Sequence, residues 1–295
     1  MTRLQRELLK DHSSSAGETA EVRPRWHRTA GVMMLSAALL SGCSQGGAAP
    51  AGPHAPVSAA EVHRLQQLAE SCPAGAAKLT QYIGIDLSSS AQDAAIEADR
   101  DKAVRALIEK VAVCSGHAHV VAFTASVAAT KVLFDGDLTA GGPTDMARIR
   151  NVPAMVEATI AEIDNANDGA ANNLDRTGSD ITAQYGLAAE AFTQMESDGV
   201  TRAWRVDLLT DGLQTVGVNL NTPQLTAATA EELASRLPIP AMPPGTLVTL
   251  SGVGKTAGSP APTDFVDAVK AFHITYCTRS TGSVSSCRAV TDFIA

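Results

Sequence analysis

The chain has 295 residues, 45% of them hydrophobic, which is enough for one large domain with a sizeable core. Its 23 Lys and Arg stand against 31 Asp and Glu, a formal net charge of −8. That balance excludes a nucleic-acid-binding role and an electrostatic membrane patch.

In chain order, the first feature is Thr29 to Leu40, an apolar run of 12 residues preceded by Arg23, Arg25 and Arg28 and followed by Ser41-Gly42-Cys43. A basic flank, a short apolar run and small residues at its end are the parts of a secretory signal. The run is too short to span a bilayer, which takes roughly 20 apolar residues. Leu40-Ser41-Gly42-Cys43 resembles the bacterial lipobox, which implies that Cys43 is lipidated and becomes the first residue of the exported chain. The expected organisation is an N-terminal extension and signal over 1–42, a flexible Gly/Ala/Pro-rich tether over 43–60, and one domain over 61–295. Residues 1–42 hold six Lys and Arg and four Asp and Glu, so the remainder has 17 basic and 27 acidic side chains, a net of −10.

Cysteine usage agrees with export. Setting Cys43 aside leaves Cys72, Cys114, Cys277 and Cys287, an even number with three possible pairings. Cys277–Cys287 would close a short loop, and Cys72–Cys114 is then the second bridge. A four-Cys metal site is disfavoured because no CxxC pair exists.

Lys78 to Asp86 reads as a buried strand. Ser90-Ala91-Gln92-Asp93 has the spacing of a capping box, so a helix should follow, with Ile96, Val104, Leu107, Ile108 and Val111 on one face. His119 to Phe123 and Lys131 to Phe134 are β-rich runs only seven residues apart. That is too close for a parallel crossover, so they should pair antiparallel. Thr144 to Asp164 carries a helical apolar stripe with a kink expected at Pro153. Asp164 to Gly178 is polar and rich in Gly and Asn, and reads as a surface loop. Thr177-Gly178-Ser179-Asp180 is a second capping-box pattern, opening a helix that places Ile181, Tyr185, Ala188, Phe192 and Met195 together. A strand at Ala203–Leu209, a helix at Ala227–Leu237, a strand at Thr246–Ser251 and a helix at Thr263–Tyr276 follow. Alternating strands and helices imply an α/β fold, with a mostly parallel central sheet, one antiparallel edge strand and helices on both faces.

Three loops carry the chemistry: Asp86-Leu87-Ser88-Ser89-Ser90, Gly178-Ser179-Asp180-Ile181 and Leu208-Leu209-Thr210-Asp211-Gly212. In an open α/β sheet, ligands bind outside the carboxyl ends of the strands. Two carboxylates and several hydroxyls form an all-oxygen set, suited to a hard divalent ion. The pattern resembles the von Willebrand factor A (vWA) domain and its metal-ion-dependent adhesion site: D-x-S-x-S, a Thr in a second loop, an Asp in a third. Asp86, Ser88 and Ser90 match the first element and Asp211 the third. The second departs from pattern, with Ser179 in G-S-D-I where the family has Thr, and Thr177 is the fallback ligand. The resemblance implies a single Rossmann-like vWA domain that holds Mg²⁺ (or Mn²⁺ or Ca²⁺) and a protein partner whose carboxylate completes the metal shell. It further implies contact with the membrane only through the lipid anchor.

Other motifs are weaker. Ser251-Gly252-Val253-Gly254-Lys255-Thr256 looks like the end of a P-loop, but Thr249 stands where a Gly is required. Asp164 to Gly169 looks like a calcium loop but has Ala166 and Asp175 at its third and twelfth positions. No histidine spacing, GxSxG or HExxH points to catalysis, so a binding protein rather than an enzyme is expected. The alternative is a substrate-binding lipoprotein of a transporter, which would have two lobes.

Overall fold

The computed structural model describes residues 57–171 and 174–295. The lipobox, Cys43 and most of the tether lie outside the described residues. The strands are β1 (Lys78–Asp86), β2 (His117–Phe123), β3 (Lys131–Asp137), β4 (Arg202–Leu209), β5 (Leu247–Ser251) and β6 (Cys287–Val290). The helices are α1 (Ala59–Ala69), α2 (Ala94–Val113), α3 (Asp145–Ala171), α4 (Ile181–Glu196), α5 (Ala227–Arg236) and α6 (Thr263–Thr281).

One six-stranded sheet runs in the order β3-β2-β1-β4-β5-β6. Every neighbouring pair is parallel except β2 and β3, which are antiparallel as expected. The first strand occupies the middle because its side chains are apolar toward both faces: Leu79 through Asp86 are all buried. Tyr82 joins a core with Tyr185, Phe192, Val206, Leu208 and Phe272, under α4, α5 and α6. Leu79, Ile83 and Ile85 join the opposite core with Leu107, Ile108, Val111, Val156 and Ile163, under α2 and α3. The chain leaves β1 toward β2 on one side and returns as β4 on the other. The strand order therefore reverses between β1 and β4, and a crevice opens beyond their carboxyl ends. Asp86 is the last residue of β1, and Thr210 follows directly after β4.

Several local expectations are corrected. The α2 helix is capped by Asp93, whose Oδ1 accepts from the Ala95 amide at 2.9 Å, and not by Ser90, which sits in a short 3₁₀ turn over Ser89–Ala91. Asp180 rather than Thr177 caps α4. Residues 164–171 are not loop but the last turns of α3, which also runs on through Pro153. Helical spacing continues past Asp164, with Ala166 and Ala170 packed into the same core as Ile163. The helix expected to end at Tyr276 runs on to Thr281 and stops at Gly282, which has the left-handed φ of +74°. Two elements escaped the sequence reading: α1, announced by Ser58 and Glu61, whose amide Ser58 accepts at 3.1 Å, and the four-residue β6. Both expected disulfides form. Cys72–Cys114 joins the segment after α1 to the end of α2, and Cys277–Cys287 joins α6 to β6.

One buried acid lies away from the crevice. On β4, Asp207 is 8% exposed and accepts from Gln81 Nε2 at 2.7 Å. Burial pushes it up to about 6, against the pull of Gln81, Arg205 and Thr249. The native state therefore binds more protons than the unfolded chain between the ordinary Asp pKa and about 6, and the cost of the ionised form is fully present above that window. Asp207→Asn should raise stability by roughly 2–3 kcal/mol at pH 8, with the gain fading as pH falls through 6 toward 4. Urea unfolding of both proteins across that range checks this, and a pH-independent difference would contradict it.

Candidate metal centre

Asp86 is fully buried, and its carboxylate is the hub of the crevice. Its Oδ1 accepts from the Ser88 amide at 2.9 Å. Its Oδ2 accepts from Thr210 Oγ1 at 2.7 Å, and Ser179 Oγ lies 3.1 and 2.9 Å from the two oxygens. Ser88 Oγ and Ser90 Oγ are 3.1 Å apart. Because Asp93 does the capping, the Ser90 hydroxyl is left to face the crevice. Asp211 is 1% exposed; its Oδ1 accepts from the Leu213 amide at 2.9 Å, while its Oδ2 is buried with no partner.

The electrostatics are those of two anions confined together. Burial pushes Asp86 up, against the pull of Thr210, Ser88 and Ser179. Burial first, and then the charge of Asp86, pushes Asp211 up to about 7, while Ser90 and the Leu213 amide pull it down. No Lys, Arg or His side chain among the described residues pairs with either carboxylate. The nearest guanidinium contact is Arg100 Nη1, which donates to the Asp86 main-chain carbonyl at 2.9 Å.

The structure thus brings Asp86, Ser88, Ser90, Ser179 and Asp211 to one place. Thr177 is elsewhere: it is exposed and donates to Asp175 Oδ1 at 2.8 Å. Thr210 was missed, though it directly precedes Asp211 and touches the Asp86 carboxylate. Its signal was faint, a hydroxyl at the end of a strand that already offered an Asp.

Neighbouring loops fix the three site loops. The Ser179 amide donates to Thr215 Oγ1 at 2.9 Å, and the Thr215 amide returns a bond to the Ser179 carbonyl at 3.0 Å. A Cβ on Gly178 would run into Thr215 Oγ1, so that close approach requires glycine. The segment after β5, P-loop-like in sequence, folds over the crevice instead. The Gly254 amide donates to the Asp211 carbonyl at 2.8 Å and the Ala257 amide to the Ser90 carbonyl at 2.7 Å. Behind the third loop, Gly212 has φ +82° and its carbonyl lies 2.8 Å from His273 Nε2 of α6. Burial depresses His273 to about 4, so it stays neutral and donates there.

Among the described residues no group of three or more His, Cys, Asp or Glu side chains could hold a metal ion. The crevice has two carboxylates, and its remaining donors are hydroxyls. Those oxygens would fit a hard cation, and the unpartnered Asp211 Oδ2 beside a second buried carboxylate is a position such an ion would satisfy.

No protein-family model and no curated protein matches the sequence. Among solved structures, the conserved hypothetical protein BatB from Bacteroides thetaiotaomicron aligns at 11% identity with a TM-score of 0.39, over 72% of this chain and 90% of that one. The manganese-loaded TRAP protein of Plasmodium vivax aligns at 13% identity and TM-score 0.34, over 65% and 62%. The ArnB paralog VWA2 from Sulfolobus acidocaldarius aligns at 11% and 0.36, over 74% and 42%. The chain spans less than two thirds of the latter two. The chain's own sheet order and antiparallel edge strand give the Rossmann-like α/β fold expected from the sequence, with the three loops gathered where that order reverses.

Proposed function

We propose that this domain binds a divalent cation, Mg²⁺ in the first instance and Mn²⁺ or Ca²⁺ as alternatives, and engages a protein partner through it without catalysing a reaction. The observation that carries the reading is the pair of buried carboxylates, Asp86 and Asp211, side by side with no cationic side chain on either and one oxygen unpartnered. Two buried anions held together are costly unless a positive charge compensates them. Asp86, Ser88, Ser90, Ser179 and Asp211 would hold the ion. When bound, the ion supplies an electropositive point that attracts a carboxylate of the partner. The residues of this chain set its position: Asp86 is fixed by Thr210, Ser179 and the Ser88 amide, and Asp211 by the Leu213 amide. The pair of disulfides supports an oxidising compartment. The lipobox-like Cys43 supports display on the outer face of a bacterial membrane through a lipid anchor.

Calorimetric titration of the domain with Mg²⁺, Mn²⁺ and Ca²⁺ should give one saturable site that Asp86→Ala removes. Equal or absent binding in both proteins ends the metal reading. Affinity capture from envelope extract with Mg²⁺, compared with chelator, tests the bridge. A partner retained equally in both conditions overturns it.

A further inference from the structure

A second polar site lies outside the metal centre. A cavity of about 210 Å³ sits between the first turns of α2 and the last turns of α3. At the volume of a water molecule in the liquid, about 30 Å³, it has room for roughly seven non-hydrogen atoms. Arg100 lines it and is 6% exposed. Its Nη1 bond to the Asp86 carbonyl is its sole hydrogen bond among the described residues, and its Nε is buried with no partner. Among the described residues no carboxylate forms an ion pair with it. A guanidinium has five N–H donors and a permanent charge, and enclosing one with a single acceptor is expensive. Arg176 also lines it, and its Nη1 and Nε donate to the Gln92 side-chain oxygen.

The cavity also asks for a donor. Asn167 lines it, and its Oδ1 is buried and without a partner. Leu87, Glu97, Asp101 and Asp168 complete the lining. A bare anion would satisfy Arg100 and leave the Asn167 oxygen facing it. A bare cation would do the reverse.

We propose that this cavity binds a small carboxylate that carries its own hydrogen-bond donors, a hydroxy acid or an amino acid. The carboxylate lies on Arg100 and Arg176, in the planar geometry guanidinium groups favour. The hydroxyl or ammonium faces Asn167 and the acidic residues. The cavity borders the first loop of the metal centre: Leu87 lines it, Arg100 donates to the Asp86 carbonyl, and the Arg176 carbonyl accepts from the Ser89 amide at 2.9 Å.

The test is titration calorimetry of the whole domain in chelator, at constant ionic strength, with glycolate, L-serine, acetate and inorganic phosphate as probes. Glycolate or serine should bind at least tenfold more tightly than acetate or phosphate, and which of the two binds separates the hydroxy-acid from the amino-acid form. Arg176→Gln should weaken the preferred probe by tenfold or more, and Arg100→Gln should abolish it. Arg176→Gln leaves the bond to Asp86 untouched, so it remains informative if Arg100→Gln does not fold. The inference is overturned if no probe binds, if acetate or phosphate binds as well as the others, or if Arg176→Gln binds unchanged.

Discussion

Asp211→Asn should make the metal-free domain more stable by on the order of 3–4 kcal/mol while removing its response to Mg²⁺. Asp211 is enclosed beside the equally enclosed Asp86, and burial together with that charge pushes it up to about 7. Each unit of displacement is worth about 1.4 kcal/mol against the ionised form. Asparagine has nearly the same shape, can still accept from the Leu213 amide through its carbonyl, and turns a donor rather than an anion toward Asp86. In chelator the variant should therefore unfold at a higher urea concentration than the wild type. With Mg²⁺ at about 100 times its dissociation constant the wild type should gain roughly 2.7 kcal/mol, and the variant little or nothing. A variant less stable than the wild type in chelator would mean that Asp211 is already compensated in the metal-free domain, and the electrostatic account would fail. The experiment distinguishes this from a merely structural role, because a lost structural contact lowers stability under both conditions.

The same charges explain how far the site could be read from sequence. Asp86, Ser88 and Ser90 are adjacent in the chain, and their alternation at the end of an unbroken apolar strand was legible. Asp211 was legible for the same reason, at the end of β4. The second loop was harder, because Thr177 and Ser179 both carry hydroxyls two residues apart in a polar stretch. Their choice is settled by long-range bonds: Thr215 clamps Ser179 across 36 residues, while Thr177 turns to Asp175. The capping assignments failed in an informative way. A hydroxyl residue with an acid three residues on satisfies the box pattern at both Ser90 and Thr177, yet in each case the acid itself became the cap. That choice releases the Ser90 hydroxyl for the crevice, and no local propensity records it.

The fold was legible where periodicity ran long. The central strand and α2 had continuous apolar patterns, and the seven-residue gap between β2 and β3 required their antiparallel pairing. The end of α3 was misread because composition overrode period: Asn, Asp and Gly suggested a loop, but Ala166 and Ala170 kept the helical face apolar. The loop after β5 has P-loop-like glycines but was discounted as a phosphate loop because of Thr249, and the Gly254 amide turns to the carbonyl of Asp211. The four-residue β6 carries too little pattern to be read at all, and its place is fixed by the Cys277–Cys287 bridge and by pairing with β5.

The remaining large effect concerns Cys72–Cys114. The bridge closes a loop with a sequence separation of 42 that contains β1 and the whole of α2, and its Cα atoms are 5.4 Å apart, within the ordinary range. The chain-entropy relation assigns a loop of that length about 4 kcal/mol, against about 3 kcal/mol for the separation of 10 at Cys277–Cys287. Other ties on α1 are modest. Val62 and Leu65 are its buried side chains. The Arg64–Glu109 ion pair joins it to α2, but the Arg64 side chain is 48% exposed, so that pair contributes little. Cys72→Ala with Cys114→Ala should therefore lower the unfolding free energy by about 4 kcal/mol, and the effect should be spatially uneven. Amide exchange should quicken first in α1, then at the end of α2, and last in β1 and β4, which are paired on both sides. Urea unfolding and hydrogen exchange of the double variant, compared with the oxidised wild type, check both parts. A loss below about 1 kcal/mol, outside the usual range for a native bridge, would show that α1 is held by its apolar contacts alone. Exchange rising equally in α1 and β1 would show that the bridge supports the whole sheet rather than the helix at its edge.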